Sequence, residues 1–122
     1  MHATAPKVSG IDATYYLAQD LERATEFYRK LFGAEPTLQM PGMVSEWTFA
    51  GGESFGLYKP GEDGGEFHPS GGVMFAVDDF TAAVDAHKSA GVKFNGTEDT
   101  PGCHMAFGVD SEGNGFILHK RK

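Results

Sequence analysis

One cysteine, few basic side chains and no long apolar run define this chain by what it lacks. Cys103 stands alone, so no disulfide can form within the chain, and nothing points to an oxidising compartment. Ten Lys and Arg against seventeen Asp and Glu give a net charge of −7. That balance argues against nucleic acid, whose phosphates need a basic stripe. The basic run Lys120-Arg121-Lys122 reads as a solubilising tail. An acidic surface favours a cationic or neutral ligand over a polyanion. No apolar stretch is long enough for a membrane span, and residues 1–10 lack a signal-peptide core. The expectation is a cytoplasmic protein that meets neither membrane nor nucleic acid.

What is present is enough for one compact domain. The 122 residues are 40% apolar and include 17 glycines scattered along the chain, which suits a sheet-rich fold with many turns. Self-similarity then organises the sequence. Residues 20–33 read as a helix capped by Asp20, with Leu21, Ala24, Phe27, Tyr28 and Leu31 on one stripe and Gly33 at its end. Residues 79–91 repeat the pattern, with Phe80, Ala83, Val84 and His87 on the stripe and Gly91 at the end. A short strand precedes each helix, at 11–18 and 72–77. Strands at 47–52 and 55–59 match strands at 105–110 and 116–120, and weaker strands at 37–40 and 92–94 complete each unit.

The expected fold class is therefore α+β, with two βαβββ units in a single domain spanning 1–122. The first unit covers 8–59, a linker rich in Gly, Pro and acidic residues covers 60–71, and the second unit covers 72–120.

Two segments carry a resemblance. Asp20-Leu21-Glu22-Arg23-Ala24, followed by Phe27-Tyr28 and Leu31-Phe32-Gly33, resembles the first-helix signature of the vicinal oxygen chelate superfamily. Asp110-Ser111-Glu112-Gly113-Asn114 is similar to that superfamily's last hairpin, commonly Asp-Pro-Asp-Gly-Asn. The group includes glyoxalase I, extradiol dioxygenases, fosfomycin-resistance enzymes and bleomycin-binding proteins, so the resemblance speaks for fold more than for chemistry. It implies curved sheets with a helix on each convex side, and a cavity between the concave faces of paired units. It also implies metal ligands on the first and last strands of each unit. Those positions fall here on Ala13, Gly56, Gly72 and Ile117, none of which offers a donor. The expectation is no metal and no cofactor.

Strand alternation sets the expected cavity lining. With Ala13 facing in, Tyr15, Ser54, Gly56 and Tyr58 follow in the first unit, and Met74, Ala76, Ile117 and His119 in the second. Glu46 and His104 each stand three residues before a Phe, at Phe49 and Phe107, and are expected to face the cavity together. The opposite phase would put Trp47 there instead. The candidate ligand-binding residues are thus Tyr15, Glu46, Tyr58, Met74, His104 and His119, with no catalytic residue assigned. A metal held by Glu46, His104 and His119 would need separate strands to converge. Cys103 and His104 alternate across their strand and cannot form a dyad.

The expected function is a metal-free protein that sequesters an antibiotic or metabolite, its ligand aromatic and suited to a positive charge. The alternative is a glyoxalase-like lyase or isomerase, or a dioxygenase-related enzyme, using a non-standard site. A scaffold with a vestigial cavity is a third class. Open sheets leave edges and apolar surface uncovered, so a two-fold homodimer is expected.

Overall fold

The computed structural model describes residues 6–61 and 66–122. Part of the expected linker, 62–65, and the first five residues lie outside the described residues. Each unit opens with a strand and a helix: β1 (Ala13–Leu17) and α1 (Leu21–Phe32), then β5 (Val73–Ala76) and α2 (Phe80–Ser89). Three strands complete each: β2 (Leu38–Met40), β3 (Val44–Thr48) and β4 (Ser54–Tyr58) in the first, β6 (Lys93–Asp99), β7 (Cys103–Val109) and β8 (Gly115–Arg121) in the second. The sheets have equivalent orders, β1-β4-β3-β2 and β5-β8-β7-β6. The first strand lies parallel to the last, and the remaining pairs are antiparallel. Two βαβββ units in an α+β domain are what the sequence pattern implies.

Both helices start as their capping residues dictate. Asp20 Oδ1 accepts from the Arg23 N–H at 3.0 Å and Asp79 Oδ1 from the Ala82 N–H at 3.1 Å. Gly33 ends α1 in the left-handed conformation at φ 66°, where a Cβ would be strained. α2 is capped one residue earlier than its glycine, at Ala90, and Gly91 makes the positive-φ turn that follows.

The helix-facing sides of both sheets share one core. Tyr28 of α1 lies 4.9 Å from Phe55 of the first sheet, and Phe55 lies 5.1 Å from Phe75 of the second. Phe75 continues to Phe116 at 6.2 Å, and Phe27 reaches Phe116 at 5.9 Å. Tilted and edge-to-face aromatic packing therefore joins the units without a break. Because the helix sides converge, the other face of each sheet points away from the core.

The hairpin 110–114 pins the units together. Asp110 Oδ2 accepts from the Tyr28 hydroxyl at 2.5 Å, and Asn114 Nδ2 donates to the Leu17 carbonyl at 3.0 Å. Glu112 Oε1 accepts from the N–H groups of Gln19 and Asp20, both at 2.8 Å. Glu112 Oε2 accepts from Arg23 Nε at 2.7 Å. Asp110, Glu112 and Asn114 are all buried, and each is satisfied by partners across the junction. No helix among the described residues is long and apolar enough to cross a membrane.

Candidate functional site

β3 begins at Val44, earlier than the sequence pattern suggests, and ends at Thr48 before the hairpin. Its register against β4 places Glu46 opposite Gly56, on the face away from α1. Trp47 points the other way, is buried, and donates from Nε1 to the Ala34 carbonyl at 3.0 Å. The parallel pairing of β1 with β4 sets Tyr15 beside Gly56 and Leu17 beside Tyr58. Tyr15, Glu46 and Tyr58 therefore share one open sheet face. Among the described residues Glu46 is the only charged side chain on it.

Tyr15 lies flat across β4. A Cβ built on Gly56 would come within 2.5 Å of the Tyr15 ring, so the missing side chain is the bed in which the ring rests. The ring's hydroxyl donates to Glu46 Oε1 at 2.6 Å. Partial burial, then the hydrogen bond to Glu46 and its negative charge, push the Tyr15 phenol up to about 12. At neutral pH the phenol is a neutral donor. Glu46 Oε2 has no hydrogen-bond partner among the described residues and can meet a further donor.

The second sheet presents Met74, Ile117 and His119 on its own open face. Met74 pairs with Ile117, and His119 pairs with Ala76 and Met105. Met74 is 51% exposed and Tyr15 40%, which is high for side chains of this size. Within one chain these two sets do not meet, since both open faces point away from the shared core.

His104 does not lie with them. It pairs with Lys120 and Asp99 in a row whose side chains point to the helix side, and its ring stacks on Phe80 of α2 at 5.3 Å. Its Nδ1 lies 3.2 Å from Asp99 Oδ1. The expected shared facing of Glu46 and His104 is thus corrected. Ser45 pairs with Leu57 as Ala106 pairs with Leu118, so the counterpart of Glu46 is Phe107. Phe107 faces the open side, opposite Ile117. Glu46, His104 and His119 are not brought together.

The positions where the resemblance implies metal ligands carry Ala13, Gly56, Gly72 and Ile117. The Tyr15 ring covers the space a donor at Gly56 would fill. Among the described residues, no three His, Cys, Asp or Glu side chains form a group that could hold a metal. This set of residues does not fit a divalent ion.

The sequence reading missed the seating of Tyr15 on Gly56. Its signal was present in the register, as a glycine directly beside a tyrosine on neighbouring strands.

A model of the Glyoxalase/Bleomycin resistance protein/Dioxygenase superfamily matches residues 10–118. No curated protein matches the sequence. Among solved structures, TnmS3, an antibiotic binding protein from Streptomyces sp. CB03234, is similar with a TM-score of 0.81 and 21% identity. The match covers 97% of this chain and 100% of that one. Lactoylglutathione lyase from Agrobacterium tumefaciens gives a TM-score of 0.78 at 21% identity, covering 94% of this chain and 96% of the other. The oxidase ChaP-H2 gives 0.74 at 19% identity, covering 95% and 96%. At these identities the likeness concerns the fold.

Proposed function

Because the chain belongs to the Glyoxalase/Bleomycin resistance protein/Dioxygenase superfamily, we propose that it captures a small aromatic, cationic molecule without using a metal, in the cytoplasm. The seating of Tyr15 on Gly56, its hydroxyl on Glu46, carries the reading. Where the superfamily resemblance implies a metal ligand, this chain has a flat ring and a carboxylate with a free oxygen. A planar ligand can stack on the ring while its positive group meets Glu46 Oε2. Burying one face of a Tyr ring against such a ligand contributes on the order of 1–3 kcal/mol, or about 5- to 100-fold in affinity. The antibiotic-binding neighbour supports sequestration of an antibiotic or metabolite as the outcome.

The complete cavity in this reading needs two chains. Tyr15, Glu46 and Tyr58 form one half, and Met74 and His119 form the other, on faces that look outward from a single core. A two-fold homodimer that lays the first sheet of one protomer over the second sheet of its partner would close two equivalent cavities and cover the exposed side chains.

Thermal unfolding with matched ligands tests the reading. Cationic aromatic compounds should raise the melting temperature more than anionic ones of equal size, by linkage of binding to folding. Glu46→Gln should remove that preference. Equal shifts for both charge types would overturn the assignment of Glu46. Near-equimolar zinc, nickel, manganese or iron surviving dialysis would overturn the metal-free reading in favour of a lyase or isomerase. Sedimentation that finds only monomer at micromolar concentration would remove the shared cavity.

A further inference from the structure

The repeat makes two junctions between the units, and the structure fills only one. In the filled junction, hairpin 110–114 closes on α1 and β1 through Asp110, Glu112 and Asn114. Tyr16 of β1 adds a hydroxyl that donates to the Gly115 carbonyl at 2.7 Å and accepts from the Val73 N–H at 3.0 Å. The second junction is its mate, with hairpin 49–53 facing α2 and β5. The two hairpins have the same backbone closure: Phe49 N–H to the Glu53 carbonyl at 2.9 Å, and Asp110 N–H to the Asn114 carbonyl at 2.8 Å.

Their side chains differ at every position of the clamp. Strand register and helix caps align Phe49 with Asp110, Gly51 with Glu112 and Glu53 with Asn114. They also align Phe75 with Tyr16, Ala82 with Arg23 and His87 with Tyr28. The acceptors and hydroxyls that lock the first junction are thus replaced by rings, small residues and an imidazole. What remains between hairpin 49–53, α2, β5 and the end of α1 is a cavity of about 740 Å³.

We propose that this second junction is a binding site for a neutral aromatic molecule carrying one hydrogen-bonding group, distinct from the site at Tyr15, Glu46 and Tyr58, none of which lines it. Its volume is that of a drug-sized ligand site. Four phenyl rings wall it: Phe32 lies 5.4 Å from Phe49, 5.8 Å from Phe55 and 5.0 Å from Phe75, all edge to face. A ligand ring extends that cluster in the geometry its members already use. His87, Thr14 and Ser54 are half-buried polar side chains on the wall, and among the described residues the His87 ring makes no hydrogen bond. Burial lowers its pKa below the usual histidine range, so at pH 7 it is neutral and can donate or accept. Among the described residues Glu53 is the other titratable lining group, and it is exposed. Among the described residues no Lys or Arg lines the cavity, which disfavours an anion, and a cation would lose hydration against the phenyl walls.

The probe is N-phenyl-1-naphthylamine, a neutral aromatic amine that fluoresces in apolar surroundings. Saturable binding at one probe per chain is expected. Nuclear Overhauser contacts should run from its rings to the methyl groups of Val73, Val77 and Leu118. Val77→Trp, which places an indole in the cavity, should weaken binding at least tenfold. Absence of saturable binding would overturn the proposal. So would contacts to Ile117 and Phe107 on the open face, or unchanged affinity in a folded Val77→Trp protein. If that variant does not fold, the contacts measured in the unmodified protein decide.

Discussion

Tyr28 and Asp110 come from different units and meet at 2.5 Å, hydroxyl to carboxylate, inside the shared core. Asp110 also accepts from the N–H groups of Glu112 and Asn114 and from Asn114 Nδ2. Removing the carboxylate leaves several buried donors without partners, and each costs about 1–3 kcal/mol. Asp110→Ala should therefore destabilise by roughly 3 kcal/mol or more, while Tyr28→Phe should cost about 1–2 kcal/mol because Asn114 still serves Asp110. Urea unfolding of both variants checks the order. A larger loss for Tyr28→Phe would mean that the hairpin is not the clamp described.

Glu112 makes the same junction sensitive to acid. Burial alone pushes its carboxyl up, but the hydrogen bond from Arg23 and those from the Asp20 N–H and Ser111 outweigh it. The net folded-state pKa is below the ordinary glutamate value. A depressed carboxyl contributes stability that is present above its unfolded pKa and is lost as pH falls through the folded one. Unfolding free energy should thus fall with pH below the ordinary glutamate range. In Arg23→Gln the fall should be shallower, because the partner that lowers Glu112 is gone. Parallel pH profiles for the two proteins would show that Arg23 is not that partner.

Tyr15 and Tyr16 are chain neighbours on opposite faces of β1. Tyr16 is 2% exposed and Tyr15 is 40% exposed. Tyr16→Ala removes a core ring and a bridging hydroxyl, and should cost roughly 3–5 kcal/mol as a large-to-small core change. Tyr15→Ala should cost less than about 1 kcal/mol without ligand and should abolish the melting-temperature rise given by cationic aromatics. If Tyr15→Ala proves the more destabilising, the facing of β1 is the reverse of that described.

Local signals with a direct physical cause were readable from the residues: Asp20 and Asp79 as caps, Gly33 as a left-handed stop, and Asp110 to Asn114 as a tight turn. The facing of β7 was not readable. Aligning Phe49 with Phe107 linked Glu46 to His104, but Phe49 lies past the end of β3, in the hairpin position that Asp110 holds in the second unit. The resulting slip is an odd number of residues, and in a strand an odd slip moves every side chain to the other face. Facing on β4, β5 and β8 was readable because Phe55 and Leu57, Val73 and Phe75, and Phe116 and Leu118 set large apolar side chains in alternation, and β1 follows from its place in the repeat. The open second junction was hidden for a different reason. It depends on what two distant segments fail to place opposite each other, and no local pattern records that.

Two glycines make the same substitution give opposite results. A Cβ on Gly56 would come within 2.5 Å of the Tyr15 ring, and one on Gly108 within 2.3 Å of the Phe116 ring. The Tyr15 ring sits on an open face and can swing away, whereas Phe116 is 1% exposed and packed among Phe27, Phe75 and Phe94. Gly108→Ala should therefore overpack the core and cost about 1–3 kcal/mol. Gly56→Ala should cost less than about 1 kcal/mol, but it should lift Tyr15 off its bed and part its hydroxyl from Glu46. The ligand response should then match that of Tyr15→Ala, with the tyrosine still present. Calorimetry with and without a cationic aromatic compound reads both effects. A full ligand response in Gly56→Ala would show that the flat seating of Tyr15 is not what binds the ring.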